Sequence, residues 1–269
     1  MDVLRLHAAG DLRLHSEPEP VPGPGEILVR VTAVGLCGSD LHWFAEGGTG
    51  TASITQPLVL GHEAGGVVAS GPAEGERVAI EPARACGHCV PCRAGDGNLC
   101  PNVRFLGHSV TDGALRTMMS WPRRLLLPVT DAIGDDDVAL LEPLGVALHA
   151  IDMGHVRPGM SAGVYGCGPI GLLLIRALRA MGVGPILATD LLPHRVAAAL
   201  ASGADEARLA GADGLPEGLD GWGPVDVAFE AAGEDATLET AIETARVGGR
   251  VVIVGIPSTL RTSFPPPML

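Results

Sequence analysis

The sequence of 269 residues is poor in positive charge, with 18 Lys and Arg against 31 Asp and Glu and a net charge of −13. A surface of this sign repels phosphodiester backbones, which argues against nucleic-acid binding. The sequence also lacks an uninterrupted apolar run that could span a membrane, because Arg176 and Arg179 interrupt its most apolar stretch, residues 170–188. The first 14 residues have no signal-peptide core and alternate polar and apolar side chains, as a strand does. These absences predict a soluble protein whose partner is neither nucleic acid nor a membrane.

Cysteine is also scarce, but four of the six cysteines lie close together. Cys86, Cys89, Cys92 and Cys100 are separated by two, two and seven residues. Four thiolates at this spacing can surround one tetrahedral Zn²⁺ and leave no open position, as in a structural zinc site. Two small disulfides are the alternative, but they would suit an exported protein, which the N-terminus does not indicate. Reduced cysteines that bind metal favour a cytoplasmic location.

The pattern of predicted elements changes along the chain. Before residue 132, short β-branched runs such as Glu26–Val34 alternate with turns rich in Gly and Pro, which predicts strands joined by irregular loops. A helical pattern covers residues 135–152, and strands then alternate with helices. The strands are predicted at 161–165, 185–189, 225–229 and 250–254, and the helices at 169–181, 193–201 and 235–246. This alternation predicts a parallel sheet with crossover helices, and a division into domains at 1–150 and 151–269.

A glycine-rich turn directly follows the strand predicted at 161–165 and opens the next helix. Its residues are Gly166, Gly168, Pro169, Ile170 and Gly171, and Cys167 inside it is interpreted as a small apolar filler. In this context GxGxxG places a helix N-terminus against a pyrophosphate. The alternative is a purely structural glycine turn.

The end of the following strand carries Asp190, whose carboxylate can bind ribose hydroxyls and repel a 2′-phosphate. The sequence therefore favours NAD over NADP. Arg195 could pack on the adenosine or, alternatively, support NADP binding.

A second group of potential metal ligands is spread over the first half of the chain. Cys37, His62, Glu63 and Glu142 offer sulfur, nitrogen and oxygen donors, and a mixed set with an open position is what a catalytic zinc needs. Spacing alone is a weak signal here, because a buried cysteine or a surface glutamate is common.

Taken in order, the motifs GxCGSDLH, GHExxG, the four-cysteine run, EPLGVALHA and GxGPIG resemble the zinc-dependent medium-chain alcohol dehydrogenases, and among them the sorbitol (L-iditol) dehydrogenase-like branch. The resemblance implies a GroES-like β domain that carries the catalytic zinc, followed by a doubly wound Rossmann domain that binds NAD. It implies oxidation of a polyol or secondary alcohol to a ketone, with one catalytic and one structural Zn²⁺.

The resemblance also implies roles for single residues. Cys37, His62 and Glu63 correspond to ligands of the catalytic zinc, and Glu142 to a carboxylate that binds this zinc or holds its water. Ser39 matches the hydroxyl that touches the substrate oxygen, and His42 the outer end of a proton relay. Trp43 is expected to line the substrate pocket.

The chain departs from the family pattern at its end, because Leu269 follows soon after the strand predicted at 250–254. The resemblance therefore implies that the last part of the Rossmann sheet is missing. Threonine and butanediol dehydrogenases share most of these motifs, and a catalytically silent protein that binds NAD and zinc is a further alternative. The expected partner is a small-molecule alcohol or polyol, and a homo-oligomer is left open.

Overall fold

The computed structural model describes residues 1–50, 52–211 and 224–257. Contacts divide the chain into two units, Met1–Glu142 and Pro143–Leu269. The sequence placed the boundary after residue 150, which is inside the helix Leu141–Met153.

The first unit is built mainly from short antiparallel strands. These are β1 Asp2–Ala8, β2 Asp11–Ser16, β3 Glu26–Gly35, β4 Gly48–Thr49, β5 Ala52–Ser53, β6 Leu58–Val59, β7 Glu63–Val68, β8 Arg77–Ile80, β9 Ala83–Arg84, β10 Arg104–Phe105, β11 Met118–Pro122 and β12 Leu126–Pro128. The helices are α1 Gly38–Glu46, α2 Val90–Ala94 and α3 Asp135–Val138, with 3-10 turns at Gly97–Leu99 and Arg123–Leu125, and α4 Leu141–Met153 crosses the boundary.

The main sheet of the first unit has five strands in the order β11-β3-β7-β8-β12. Its core contains Val29, Val78, Met119 and Leu126, which are buried side chains of β3, β8, β11 and β12. A second sheet has the order β2-β1-β6. The end of β3 pairs with the start of β7, so that Gly35 lies opposite Glu63. This pairing brings the Cys37 and His62 segments of the sequence together.

The second unit alternates strands and helices. Its strands are β13 Ala162–Tyr165, β14 Ile186–Asp190, β15 Glu206–Leu209, β16 Val225–Glu230 and β17 Ala245–Ile253, and its helices are α5 Pro169–Ala180, α6 Pro193–Ser202 and α7 Asp235–Thr244. All strand pairs are parallel, in the order β15-β14-β13-β16-β17. Numbered from β13, this order is 3-2-1-4-5, the order found in doubly wound nucleotide-binding sheets. The predicted parallel sheet is therefore confirmed.

Two predicted helices and one predicted strand differ from the observed elements, and one observed strand was not predicted. The strand predicted at 250–254 is β17, which begins five residues earlier, at Ala245. The helix expected over 135–152 is two helices, α3 and α4, because α3 ends at Val138 and α4 begins at Leu141. Helix α7 ends at Thr244 instead of Arg246, since β17 begins directly at Ala245. Strand β15 was not predicted, because Glu-Ala-Arg-Leu alternates over only four residues and contains no β-branched or aromatic side chain.

The apolar stretch at 170–188 is divided between two elements. Helix α5 ends at Ala180, and β14 begins at Ile186. Leu174, Ile175 and Leu178 on one face of α5 pack into the core of this unit, whereas Arg176 and Arg179 lie outside it. Among the residues that the structure describes, no helix is long and apolar enough to cross a membrane.

Candidate functional site

The four clustered cysteines meet in one lobe of the first unit. Strands β9 and β10 pair at its base, so that the chain between them closes on itself. Cys89 precedes α2, Cys92 lies in it, and Cys100 follows the 3-10 turn Gly97–Leu99. All four sulfur atoms lie within 4.8 Å of one another, with 3.8 Å between Cys89 and Cys100 and 4.0 Å between Cys86 and Cys92. Zinc with Zn–S bonds of 2.3 Å in a tetrahedron separates its sulfurs by about 3.8 Å, so the lobe fits this ion.

The ionisation of these thiols also fits a bound cation. All four are free cysteines, which removes the disulfide alternative. The backbone amides of His88 and Cys89 donate to Cys86 and lower the pKa of its thiol to about 6. The backbone amide of Cys92 stabilises the Cys89 thiolate, but burial and the three neighbouring cysteines outweigh it and raise the pKa of Cys89 to about 12. Four thiolates at this spacing therefore need a cation to ionise together.

A second group forms where β3 and β7 meet. The ligand atoms of Cys37, His62 and Glu63 lie within 4.8 Å of one another, and both His62 and Glu63 are buried. Cys37 follows β3 as the N-cap of α1, and Glu63 begins β7. A Cβ atom at Gly35 would overlap the Glu63 carboxylate, so glycine is needed there for the close approach of the two strands.

The carboxylate of Asp40 supports this group from behind. It is 2% exposed, accepts hydrogen bonds from the backbone amides of Gly61 and Cys37 at 3.0 Å each, and lies 3.7 Å from Nδ1 of His62. A carboxylate beside one imidazole nitrogen orients the ring and leaves the other nitrogen for a metal. Asp40 was missed as a site residue. The signal for it was its position three residues after Cys37, where a carboxylate caps a helix.

The electrostatics of this group also favour a cation. Burial raises the pKa values of Cys37 and Glu63. Burial also raises the pKa of Glu142 to about 7, opposed by His62 and reinforced by the carboxylates of Glu63, Glu81 and Asp40. Glu142 lies near the other donors, but it is not part of the set whose atoms are all within 4.8 Å. A divalent ion would relieve the repulsion among these acidic groups.

Ser39 and His42 lie on the first turns of α1. The hydroxyl and the backbone amide of Ser39 hydrogen-bond to the Cys37 sulfur, which opposes the effect of burial on its pKa. His42 lies three residues further along the same helix, and its Nδ1 is 2.9 Å from the Glu46 carboxylate. The side chain of His42 is 31% exposed, so it reaches solvent.

The glycine-rich turn has the geometry that a dinucleotide needs. Gly166 has a φ of 101°, and a Cβ atom there would lie 2.9 Å from the backbone of Ala231 and Ala232. Gly168 caps α5 and has open space where a side chain would be, and a Cβ at Gly171 would overlap the Gly166 carbonyl. Among the remaining predicted residues of this turn, Pro169 is the first residue of α5 and is exposed, whereas Ile170 packs against the core.

A cavity of about 360 Å³ lies beside this turn, at the carboxyl ends of the parallel strands. Gly166, Asp190 and Arg195 line it. The Asp190 carboxylate accepts hydrogen bonds from the backbone amides of Cys167 at 2.8 Å and Leu192 at 2.9 Å, and lies 3.7 Å from the Arg195 guanidinium. The cavity wall also contains Thr189, whose buried hydroxyl has no hydrogen-bond partner in the part of the chain that the structure describes. The unpaired hydroxyl of Thr189 and the open space at Gly168 would suit a polar ligand.

Comparison with known proteins places the chain in a family. Residues 23–131 match the family model of the alcohol dehydrogenase GroES-like domain, and residues 169–269 match that of zinc-binding dehydrogenases. Sorbitol dehydrogenase of Bacillus subtilis is 36% identical over 262 residues, which cover 94% of this chain and 74% of that protein. The chain belongs to the zinc-binding dehydrogenases.

Solved structures agree with this assignment. L-idonate 5-dehydrogenase of Escherichia coli has a TM-score of 0.92 at 30% identity, covering 99% of this chain and 79% of that one. A zinc-binding dehydrogenase of Sinorhizobium meliloti bound to NADP has a TM-score of 0.87 at 30% identity, covering 99% and 80%. The predicted GroES-like and Rossmann folds are thereby confirmed for this dehydrogenase.

The packing of Trp43 corrects one expectation about the dehydrogenase. Its side chain is 1% exposed and lies in a core cluster with Leu6, Leu58 and Leu60, against the edge of His108. Trp43 therefore belongs to the core of the first unit and does not line a substrate pocket. The cytoplasmic location and the homo-oligomer stay predictions.

Proposed function

We propose that this chain is a zinc-dependent dehydrogenase that transfers a hydride from a polyol or secondary alcohol to NAD and gives a ketone. The group of Cys37, His62 and Glu63 carries the proposal, because three unlike donors leave an open position for a substrate oxygen. The relatives named for sorbitol and L-idonate support a polyhydroxylated substrate.

The residues around Cys37 would divide the reaction between them. Cys37, His62 and Glu63 would hold the catalytic zinc, and Glu142 would supply a second carboxylate beside it. When bound, zinc lowers the pKa of the substrate hydroxyl as a Lewis acid, and the nicotinamide accepts the hydride. Ser39 would receive the hydroxyl proton, and His42, one helical turn further, would pass it to solvent.

The four-cysteine lobe would hold a second, structural zinc. Its four sulfur atoms are close enough to surround one ion completely, which leaves no position for substrate. We therefore expect two zinc ions per chain. Only the ion held by Cys37, His62 and Glu63 would take part in the reaction.

The cofactor would be NAD. The Gly166–Gly171 turn would hold the pyrophosphate at the N-terminus of α5, and Asp190 would accept the ribose hydroxyls. The carboxylate of Asp190 lines the cavity, so a 2′-phosphate would meet a negative charge. Arg195 is beside Asp190 and is the residue that would favour NADP instead.

Zinc content and turnover test the proposal together. Native mass spectrometry of protein purified without chelator should give two zinc ions per chain, and a polyol panel with NAD should show turnover. Cys37→Ala should keep one zinc and bind NADH within about twofold of wild type, but lose turnover. Undiminished turnover in Cys37→Ala would refute the catalytic zinc assignment. Normal NADH binding without turnover by the wild-type chain would favour the catalytically silent alternative.

A further inference from the structure

One buried carboxylate of the second unit belongs to none of the groups described above. Glu230 is the last residue of β16 and is 1% exposed. In the sheet it lies between Tyr165 of β13 and Ile253 of β17. Its position is therefore at the carboxyl ends of the central parallel strands, beside the glycine-rich turn.

A single oxygen of this carboxylate accepts three hydrogen bonds. Oε1 accepts from the backbone amides of Ala232 and Gly233 at 2.8 Å each and from the hydroxyl of Thr237 at 2.7 Å. The backbone carbonyl of Glu230 accepts from the amides of Val254 at 2.8 Å and Gly255 at 3.1 Å. One residue thus connects the turn after β16, the first turns of α7 and the end of β17.

The local charge suits an acidic side chain at this place. Glu234 is the N-cap of α7, so the carboxylate of Glu230 lies near the positive end of that helix dipole. All three donors to Oε1 are neutral groups, and a carboxylate oxygen can accept several of them at once. The bonds are within one fold unit and close short loops, which makes the turn rigid.

The segments that Glu230 holds form part of the cofactor cavity. Ala232 and Thr237 line this cavity together with Gly166 and Asp190. A Cβ atom at Gly166 would approach the Ala232 backbone nitrogen at 2.9 Å, so the turn after β16 packs closely against the glycine-rich turn. A displacement of the Ala232 amide would therefore move the cavity wall opposite Asp190.

We propose that Glu230 is a positioning residue for the dinucleotide: it fixes the wall formed by Ala232 and Thr237 without touching the cofactor. The inference depends on the proposed function, because it requires that a nicotinamide dinucleotide occupies this cavity. Its effect should appear in cofactor affinity and not in the zinc-dependent step, because the candidate zinc ligands belong to the first unit.

Three variants test the inference in the zinc-loaded protein. Glu230→Ala removes all three acceptor bonds, Glu230→Asp shortens the side chain so that it no longer reaches every donor, and Glu230→Gln keeps one oxygen acceptor of the same length. Glu243→Gln is the matched control, because Glu243 is exposed on α7 and is not one of the residues that hydrogen-bond to Glu230. The dissociation constant for NADH is measured by fluorescence, and KM for NAD and kcat by steady-state kinetics.

We expect NADH binding to weaken at least tenfold in Glu230→Ala and Glu230→Asp and less than threefold in Glu230→Gln and Glu243→Gln. KM for NAD should rise while kcat changes less than twofold, and both zinc ions should stay bound. If Glu230→Ala does not fold, the difference in NADH affinity between Glu230→Asp and Glu230→Gln tests the inference.

Two results would overturn the inference. One is NADH affinity within twofold of wild type in folded Glu230→Ala or Glu230→Asp. The other is a loss of zinc and kcat that parallels the loss of affinity, since this would indicate general misfolding. Absence of NADH binding by the wild-type protein would instead overturn the proposed function, and the inference with it.

Discussion

Among single residues, Asp40 connects the two segments of the chain that carry Cys37 and His62. Its carboxylate accepts from the amides of Cys37 and Gly61 and lies 3.7 Å from His62, which makes it an orienting group for two of the candidate ligands. We expect Asp40→Asn to weaken zinc binding at the Cys37 group by about 10- to 100-fold, because outer carboxylates raise ligand basicity and fix ring orientation. Zinc retention against a competing chelator measures this effect. The exposed Asp136→Asn is the control, and equal retention in both variants would contradict the role.

The position of Asp190 in the cavity leads to a prediction about the choice between NAD and NADP. The amides of Cys167 and Leu192 bind different oxygens of Asp190, so Asp190→Asn keeps an acceptor for only one of them, and it no longer repels a 2′-phosphate. The preference for NAD over NADP, measured as the ratio of kcat/KM values, should fall by about tenfold or more, which corresponds to about 1.4 kcal/mol. Arg195→Ala should change the ratio in the opposite direction. An unaltered ratio in Asp190→Asn would assign cofactor choice to other residues.

The pKa of Glu142 predicts how the stability of protein depleted of the catalytic zinc depends on pH. Burial raises its pKa from 4.5 to about 7 in the folded state, so the unfolded chain ionises first as the pH rises. The free energy of unfolding should therefore decline between pH 4.5 and 7, by up to about 3 kcal/mol, and then level off. Denaturant melts of wild type and Glu142→Gln measure this. The variant should lose that decline, and a parallel pH profile in both proteins would rule out Glu142 as its source.

Among the elements, the four-cysteine lobe has little other than its thiols to stabilise it. Helix α2 has five residues, and none of them is buried. We expect Cys89→Ser to lose one zinc ion and to lower the unfolding temperature by about 5–10 °C, as a loss of 2–3 kcal/mol would. NADH affinity should persist, because the cofactor cavity is lined by residues of the second unit.

Calorimetry and zinc analysis check this prediction. Val90→Ala is a control within the lobe, since Val90 is 80% exposed and is not one of the four thiols. A Cys89→Ser protein with two zinc ions and the wild-type unfolding temperature would show that the lobe does not need its fourth sulfur.

The elements also show how far the sequence could predict the molecule. Strands β13, β14 and β16 were predicted within a residue or two, because buried parallel strands are short continuous apolar runs between turn signals. Strand β15 was missed, since its four residues are too few for their alternation to indicate a strand, and they pair with β14 in the folded sheet. The break between α3 and α4 did have a signal, because Pro143 is in the first turn of α4, where a proline is tolerated, and it disfavours a helix that continues from α3.

The candidate site could be predicted where its chemistry depends on the type of residue alone. Cysteines, histidine and glycines indicated the metal and nucleotide groups, and the structure brings Cys37, His62 and Glu63 together. Glu230 was missed, because its importance comes from buried hydrogen bonds to backbone amides that the fold creates, whereas the local signal for Asp40, a carboxylate three residues after Cys37, was overlooked. An acidic residue looks the same in sequence whether it is solvated or is the acceptor for a turn.

For the whole molecule, the two kinds of site span very different lengths of chain. The amide of Cys86 meets the sulfur of Cys100 across 14 positions, whereas Ser161 and Asp226, which hydrogen-bond at the start of the central strand pair of the second unit, are 65 positions apart. Because the entropy lost on closing a loop grows with its length, the lobe can form from local chain while the parallel sheet must wait for distant segments. A nascent chain should thus acquire its first metal ion before it can bind a dinucleotide.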